Sequence, residues 1–302
     1  MTKWTFSPSQ PGTTRNMASW QISRQNHEPY QIDVSWPLAW SAQENSVANA
    51  IYLVDGNALF LSATETLRRR QSHRPQETGT VVVAVGYPLT DSVFSPRRSV
   101  DLTPPCGHYT PPDGPDGKPK PNAYGGADKF LTFITEVVQP FITLKVFPQV
   151  SFDRTAIFGH SYGGLFVLHT LFTRPSSFDV YLAASPSIWW NDRFILSEAA
   201  RFRGSPAISS RPVLRLSYGS REQAPVREPG EPWERFQWRK SVAERRRMAD
   251  NCNELYSELL SNERFRIIQK REYLDEDHGS VIAAALSGGL VYFLDQSGEY
   301  RF

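Results

Sequence analysis

A serine between two glycines is the first feature of the sequence that could do chemistry. Residues 159–163 read Gly-His-Ser-Tyr-Gly, so Ser161 stands at the centre of a Gly-x-Ser-x-Gly pattern. The apolar run TAIF leads into the motif, and an apolar helical pattern from Gly163 to Phe172 follows it. This strand–turn–helix setting presents a nucleophilic serine on a tight turn, where a Cβ at either glycine would clash. The alternative is a glycine-rich turn whose serine only caps the helix.

A serine hydroxyl is a weak nucleophile and needs a general base. In α/β folds that use this turn, the acid and then the histidine follow the serine along the chain. Two histidines follow Ser161: His169 lies inside the helical pattern, whereas His278 lies between a predicted last strand (265–274) and a final helix. We therefore predict that His278 is the base. The alternative is a surface histidine in an acidic run.

The acid is expected just after the strand PVLRLSYG (212–219), where Glu222 is the first carboxylate. Glu222 would hold the tautomer of His278 and stabilise its imidazolium form. The alternative is a solvated loop carboxylate that pairs with the arginine before it. The competing candidates for the acid are Glu228, Asp250 and Asp277.

Two backbone N–H groups are needed to stabilise the negatively charged oxygen of a tetrahedral intermediate. The residue after the serine, Tyr162, is predicted to supply one. The turn 55–58, which ends the strand AIYLVDG (50–56), is predicted to supply the other, with Gly56 and Asn57 as candidates. The alternative is that this Asp-Gly sequence is a plain turn.

Near-continuous apolar runs predict the strands that would position these groups, because such runs are typical of strands buried on both faces of a parallel sheet. Helical patterns lie between them, and the final pattern begins after Ser280, which is placed to cap it. Two alternating runs near the N-terminus predict an antiparallel edge pair joined by a turn at 26–29. The remaining predicted strands span 80–87, 155–160 and 180–185, and the other predicted helices span 125–141, 241–260 and 281–294.

The order of these elements predicts one α/β domain over residues 1–302, with a mostly parallel sheet, helices on both faces and an antiparallel N-terminal edge. Residues 1–18 are expected to be a poorly ordered lead-in. Two loop insertions are predicted at 103–124, which holds seven prolines, and at 217–240.

The composition excludes several classes of protein. Lys and Arg number 33 against 31 Asp and Glu, a net charge of +2, so no nucleic-acid partner is indicated. No apolar run is long enough to predict a transmembrane helix. The two cysteines, Cys106 and Cys252, form no disulfide framework or zinc motif, and no metal or other cofactor is predicted. The N-terminal residues lack the apolar segment of a secretory signal, so a cytoplasmic location is expected.

Aromatic residues are the unusual part of the composition, with 8 Trp, 12 Tyr and 18 Phe in 302 residues. Trp189 and Trp190 follow the end of a predicted strand and are candidates for the apolar wall of a substrate cleft, or else for packing at the sheet edge. Arg98 is a third candidate for substrate contact. For Arg98 the favoured interpretation is instead an internal ion pair with Asp101 that fixes a loop.

The chain resembles the esterase D-like branch of the α/β-hydrolases and, within it, the siderophore esterases that open ferric enterobactin or fusarinine-type ligands. The resemblance runs from about residue 20 to the C-terminus. The matching segments include LVDGNALF (53–60), RRSVDLTPP (97–105), FGHSYGGLFVLH (158–169), ASPSIWW (184–190), YGSREQ (218–223) and DEDHGSV (275–281).

The resemblance implies the α/β-hydrolase fold and a serine esterase with Ser161 as nucleophile, His278 as base and Glu222 as acid. The Arg- and Trp-rich insertion is similar to that of fungal relatives, which implies ferric triacetylfusarinine C as substrate and release of its iron inside the cell. The alternatives are an S-formylglutathione hydrolase or general carboxylesterase of the same branch, and a catalytically idle ligand-binding module.

Overall fold

The computed structural model contains one eight-stranded sheet among the residues that it describes, which are 15–23, 28–40, 46–112, 118–119, 123–205 and 211–296. The strand order across the sheet is β1-β2-β4-β3-β5-β6-β7-β8. The strands are β1 (Met17–Ile22), β2 (Tyr30–Ser35), β3 (Ser46–Val54), β4 (Gly79–Gly86), β5 (Val150–His160), β6 (Val180–Ala184), β7 (Val213–Gly219) and β8 (Ile267–Tyr273).

The six strands β3 to β8 run parallel to one another. β1 and β2 are antiparallel and form one edge of the sheet. The continuous apolar runs arise because both faces of the central strands are covered. In β3, Tyr52 and Val54 pack into a core on one face of the sheet, whereas Ile51 and Leu53 pack into a core on the other face. The predicted mostly parallel sheet with an antiparallel N-terminal edge is confirmed.

Helices cover both faces of the sheet, as predicted. α1 and α10 lie on one face, and α3, α5, α7 and α9 pack on the other. The helices are α1 (Gly56–His73), α2 (Arg98–Asp101), α3 (Ala127–Phe133), α4 (Gln139–Phe141), α5 (Tyr162–Thr173), α6 (Trp190–Arg193), α7 (Ile195–Gly204), α8 (Trp233–Arg246), α9 (Met248–Leu259) and α10 (Val281–Asp295), with π-helical segments at Ile134–Val138 and Ile142–Val146.

The single long helix predicted over 241–260 is wrong, because α8 and α9 meet at Arg247, whose φ of 46° breaks the helix. The side-chain amide of Asn251 donates to the carbonyl oxygen of Arg246 at 2.9 Å and so satisfies one acceptor at the end of α8. Helix α8 also begins inside the loop predicted for 217–240. Helix α1 has no counterpart among the predicted elements.

The predicted capping of the last helix by the Ser280 side chain is also wrong. The carboxylate of Asp277 accepts hydrogen bonds from the N–H groups of Gly279 and Ser280, each at 2.8 Å. The hydroxyl of Ser280 instead accepts from the N–H of Asp277 at 3.0 Å.

Some predictions fall partly outside the described residues: most of the lead-in 1–18, the first half of the turn at 26–29 and parts of the loop 103–124. The assignment of 1–302 to one domain stays a prediction. No helix in the part of the chain that the structure describes has the length and apolar character needed to cross a membrane.

Candidate active site

Ser161 lies at the sharp turn between β5 and α5, with φ of 60° and ψ of −114°. Neither glycine of the motif has open space for a side chain. A Cβ on Gly159 would lie 2.3 Å from the carbonyl carbon of Gly163, and a Cβ on Gly163 would lie 3.0 Å from the Val54 Cγ2 and 3.3 Å from a carboxylate oxygen of Asp55. Close packing therefore excludes a side chain at Gly159 and disfavours one at Gly163.

His278 reaches Ser161 from the loop between β8 and α10. Its Nε2 lies 3.0 Å from the Ser161 Oγ, although the two residues are 117 positions apart in the chain. The histidine ring is partly open to solvent, and the hydroxyl of Ser187 lies 3.3 Å from the Ser161 hydroxyl. The side chain of Ser161 is therefore within hydrogen-bond reach of a group that can accept its proton.

Glu222 completes the row of hydrogen bonds. Its Oε2 lies 2.5 Å from the His278 Nδ1, and its side chain is fully buried. Its Oε1 accepts hydrogen bonds from the Ser185 hydroxyl and from the N–H of Gly219, both at 2.6 Å. Groups at the ends of β6 and β7 thus hold Oε1, and Oε2 faces the imidazole of His278.

The competing carboxylates are engaged elsewhere. Glu228 lies 3.7 Å from Arg239, Asp250 lies 3.3 Å from Arg247, and Asp277 accepts from the backbone of its own turn. The structure brings Glu222, and none of these three, against the imidazole.

Two helix N-termini lie beside Ser161. Tyr162 is the first residue of α5, and Gly56 and Asn57 are the first two of α1. N–H groups at such positions have no acceptor within their own helix. The two helices start side by side because β3 and β5 are neighbours, with Leu53 opposite Phe158. What the sequence predicted as a turn at 55–58 is therefore the beginning of a helix.

The start of α1 is held in place by side chains. The Asn57 amide donates to the carbonyl oxygen of Tyr87 at 2.7 Å and accepts from its N–H at 2.9 Å. Asp55 has a left-handed backbone, with φ of 56°, and its buried carboxylate receives two hydrogen bonds from Arg98 at 2.7 and 2.8 Å. Arg98 also lies over the Tyr162 ring, 5.4 Å from its centroid.

Arg98 thus forms an internal ion pair, as predicted, but its partner is Asp55 and not Asp101. Asp101 instead accepts hydrogen bonds from the hydroxyls of Tyr30 and Tyr87 at 3.1 and 3.0 Å. Sequence reasoning missed Asp55 as the partner of Arg98, since 43 positions separate them.

The two adjacent tryptophans have different surroundings. Trp190 is 1% exposed and packs against Tyr109 and Phe194, so it lies in the core behind the site. Trp189 is partly exposed, with its ring centroid 6.1 Å from that of Tyr162. It lines a groove of about 260 Å³, here called the Trp189 groove, together with Thr110, Pro111, Pro112, Asn191, Asp192, Val242, Arg245 and Arg246.

Two further histidines near the site are buried. The His160 ring lies 4.6 Å from the His278 ring, and burial, with the nearby His278 and Arg98, holds its pKa well below the usual range. His169 lies in α5 between Glu198 and Asp128, at 2.8 and 3.0 Å. Burial alone would lower the pKa of His169, but these hydrogen bonds outweigh it and raise the pKa to about 9.

No cluster of three or more His, Cys, Asp or Glu residues that could hold a metal ion occurs in the described ranges. The fold and the hydrogen-bonded row of serine, histidine and glutamate at the carboxyl ends of the strands define an α/β-hydrolase. The chain belongs to the putative esterase family, whose model matches residues 23–256.

Similar proteins cover nearly the whole chain. A siderophore enterobactin esterase of Emericella nidulans is 68% identical over 302 residues, which is 98% of this chain and 100% of the relative. A siderophore triacetylfusarinine C esterase of Aspergillus fumigatus is 44% identical over 285 residues, 93% of this chain and 94% of the relative. The solved siderophore hydrolase EstA from Aspergillus nidulans superposes with a TM-score of 0.96 at 68% identity, covering 99% of this chain and 100% of that one. The predicted resemblance is confirmed.

Proposed function

We propose that the protein is a serine esterase that hydrolyses the carboxylic ester bonds of a siderophore. The observation that carries this proposal is the unbroken row from the Ser161 Oγ through His278 to Glu222, with contacts of 3.0 and 2.5 Å. Such a row activates a serine hydroxyl for attack on an acyl carbon. Membership of an esterase family supports the same reaction.

In the proposed reaction, the Ser161 Oγ attacks the ester carbonyl carbon while His278 Nε2 takes the hydroxyl proton. The carbonyl oxygen becomes an oxyanion, which the N–H of Tyr162 and that of Gly56 or Asn57 stabilise. As the intermediate collapses, the C–O bond to the alcohol breaks and His278 gives its proton to the departing alkoxide. Water then attacks the acyl-enzyme by the same route and releases the carboxylic acid.

Glu222 is proposed to act by orientation. A carboxylate can only accept at the His278 Nδ1, so it keeps the proton on Nδ1 and leaves Nε2 free to accept from Ser161. The same negative charge stabilises the imidazolium that forms when the proton moves. Gly219 and Ser185 keep the carboxylate in that orientation by occupying its other oxygen.

Siderophore esters are proposed as the substrate class because relatives that cover nearly the whole chain are named for them. The enterobactin esterase is the more similar of the two, at 68% against 44% identity, whereas the sequence alone had favoured triacetylfusarinine C. Both esters are therefore candidate substrates. Cytoplasmic hydrolysis, with release of the iron there, remains part of the proposal and is tested by fractionating cells that express a tagged chain.

Replacing Ser161 with Ala tests the chemistry. The variant is expected to fold, to lose at least a thousandfold in ester hydrolysis and to escape labelling by an organophosphorus probe. Ser197, exposed on α7, provides the matched control, since Ser197→Ala should keep both activities. A folded Ser161→Ala protein with wild-type turnover would contradict the mechanism, and a wild-type protein that is not labelled would indicate an idle binding module.

The substrate class is tested separately by incubating the wild-type protein with ferric enterobactin, ferric triacetylfusarinine C and S-formylglutathione. Products are followed by chromatography. Hydrolysis of either siderophore is the expected result, and hydrolysis of S-formylglutathione alone would refute the proposed substrate class while leaving the catalytic row intact.

A further inference from the structure

Arg246, the last residue of α8, carries a charge that nothing in the proposed mechanism uses. Its guanidinium carbon lies 4.4 Å from the centroid of the Trp189 ring, and the side chain is half-buried. Burial lowers the pKa of Arg246, and the like charge of Arg245 lowers it further, but a guanidinium remains protonated at any physiological pH.

Arg246 differs from other arginines nearby in having no acidic partner among the residues that the structure describes. On the same helix, Arg239 bonds to Glu231 at 2.7 Å, and the next residue, Arg247, bonds to Glu254 at 2.7 Å. No carboxylate contributes to the pKa of Arg246. A half-buried cation without a counter-ion costs desolvation free energy, which an anionic ligand would offset.

The position of Arg246 links this charge to the candidate active site. Its neighbour Trp189 lies two residues after Ser187, whose hydroxyl is 3.3 Å from that of Ser161. The Trp189 ring also lies beside the ring of Tyr162, the residue after Ser161. Trp189 therefore lies between Arg246 and the residue that follows the reacting serine.

The Trp189 groove limits what can bind there. Its volume of about 260 Å³ is below the range for a whole drug-sized ligand, so it has room for one arm of a larger substrate. Its lining includes one carboxylate, that of Asp192, which accepts from the Thr110 hydroxyl at 2.6 Å. The guanidiniums of Arg245 and Arg246 outnumber it, so the lining is net positive.

We propose, on the basis of the function proposed above, that Arg246 and Trp189 form a subsite for one anionic arm of a ferric catecholate ester. Three catecholate dianions around one ferric ion leave three net negative charges, whereas three hydroxamate monoanions leave none. A guanidinium can bond to the two oxygens of a catecholate side by side, and the tryptophan offers an apolar surface to its ring. Arg246 thus selects the charged ester over the neutral one.

The test compares Arg246→Gln with wild type on two ferric cyclic triesters, the enterobactin complex and the triacetylfusarinine C complex. The ratio of kcat/KM for the first over the second is expected to fall on the order of tenfold, since one charge interaction is lost. Added salt should lower the same ratio in the wild-type protein. The decrease should be smaller in Arg246→Gln, which lacks the charge that salt screens. Arg246→Lys, which keeps the charge, should retain most of the ratio.

Arg69→Gln is the matched control, because Arg69 is an exposed arginine on α1, thirteen residues along the helix from its start at Gly56. It removes the same charge and should leave the ratio unchanged. A ratio in Arg246→Gln within twofold of wild type would overturn the subsite, as would a wild-type protein that cleaves only the hydroxamate complex. Organophosphorus labelling of Ser161 in each variant reports separately on the proposed catalytic row.

Discussion

Replacing Glu222 with Gln should change the tautomer of His278, because the hydrogen bonds around the carboxylate determine how the new amide must lie. The N–H of Gly219 can only donate, and it lies 2.6 Å from Oε1, where the Ser185 hydroxyl also donates. The amide oxygen of the new side chain must therefore occupy that position. Its NH₂ group then takes the position of Oε2 and faces the Nδ1 of His278.

An NH₂ group facing Nδ1 requires that nitrogen to accept, so the ring proton moves to Nε2 and points at Ser161. In this tautomer His278 cannot take the proton of the hydroxyl. The corresponding change in a Ser-His-Asp enzyme lowers kcat by about 10⁴. We expect kcat to fall by about 10³–10⁴, roughly 4–5.5 kcal/mol in activation free energy, with little change in KM. KM should hold because the Glu222 side chain is fully buried and cannot touch the substrate.

The assay is steady-state hydrolysis of a small neutral chromogenic ester at neutral pH, with thermal unfolding followed by circular dichroism to confirm that the variant folds. Glu228→Gln is the matched control, since Glu228 is an exposed carboxylate in the same loop and should stay within about twofold of wild type. A folded Glu222→Gln protein that keeps more than about a tenth of wild-type kcat would refute the tautomer argument and reopen the choice of acid.

Two predictions concern stability. Arg98→Met should destabilise the protein by about 3–5 kcal/mol in urea unfolding, because it leaves the buried Asp55 carboxylate without its partner. An unchanged unfolding midpoint would contradict this. Arg69→Met, which changes an exposed arginine, is the control. The pKa of His169 is raised from 6.5 to about 9, so its stabilising contribution, on the order of 2–3 kcal/mol, is fully present below pH 6.5 and is lost as the pH rises through 9. The free energy of unfolding is measured at pH 6 and at pH 9.5, and the decrease between them should be smaller in His169→Gln than in wild type. An equal decrease in both proteins would contradict the assignment.

The sheet was predictable because its central strands are buried on both faces, which leaves continuous apolar runs at 80–87 and 155–160. The row of Ser161, Glu222 and His278 could be predicted from the sequence for a different reason. Each lies directly after a predicted strand or before a predicted helix, and parallel strands bring their carboxyl ends to the same edge. Chain order and strand ends therefore indicated groups that the structure places in contact.

Other features depend on contacts that no local pattern encodes. Helix α1 was missed because only a few of its residues, among them Leu59, Phe60 and Ala63, are buried on the sheet. The helix break falls at Arg247, which is neither a glycine nor a proline, and the side chain of Arg247 bonds to Glu254 of α9. Trp189 and Trp190 have identical chemistry, but only the second is buried, and the sequence could not separate them.

Three non-glycine residues with positive φ lie at the ends of the adjacent strands β3, β5 and β6: Asp55, Ser161 and Ser185, at 56°, 60° and 42°. Such backbones cost about 1–3 kcal/mol each, so tertiary contacts must hold them. Arg98 holds the first through its carboxylate, and Glu222 holds the third through its hydroxyl. Glu222 therefore couples the shape of a strand end to the orientation of the imidazole. If so, Ser185→Ala should lower kcat far less than Glu222→Gln, because it removes one support of the carboxylate but leaves the tautomer intact.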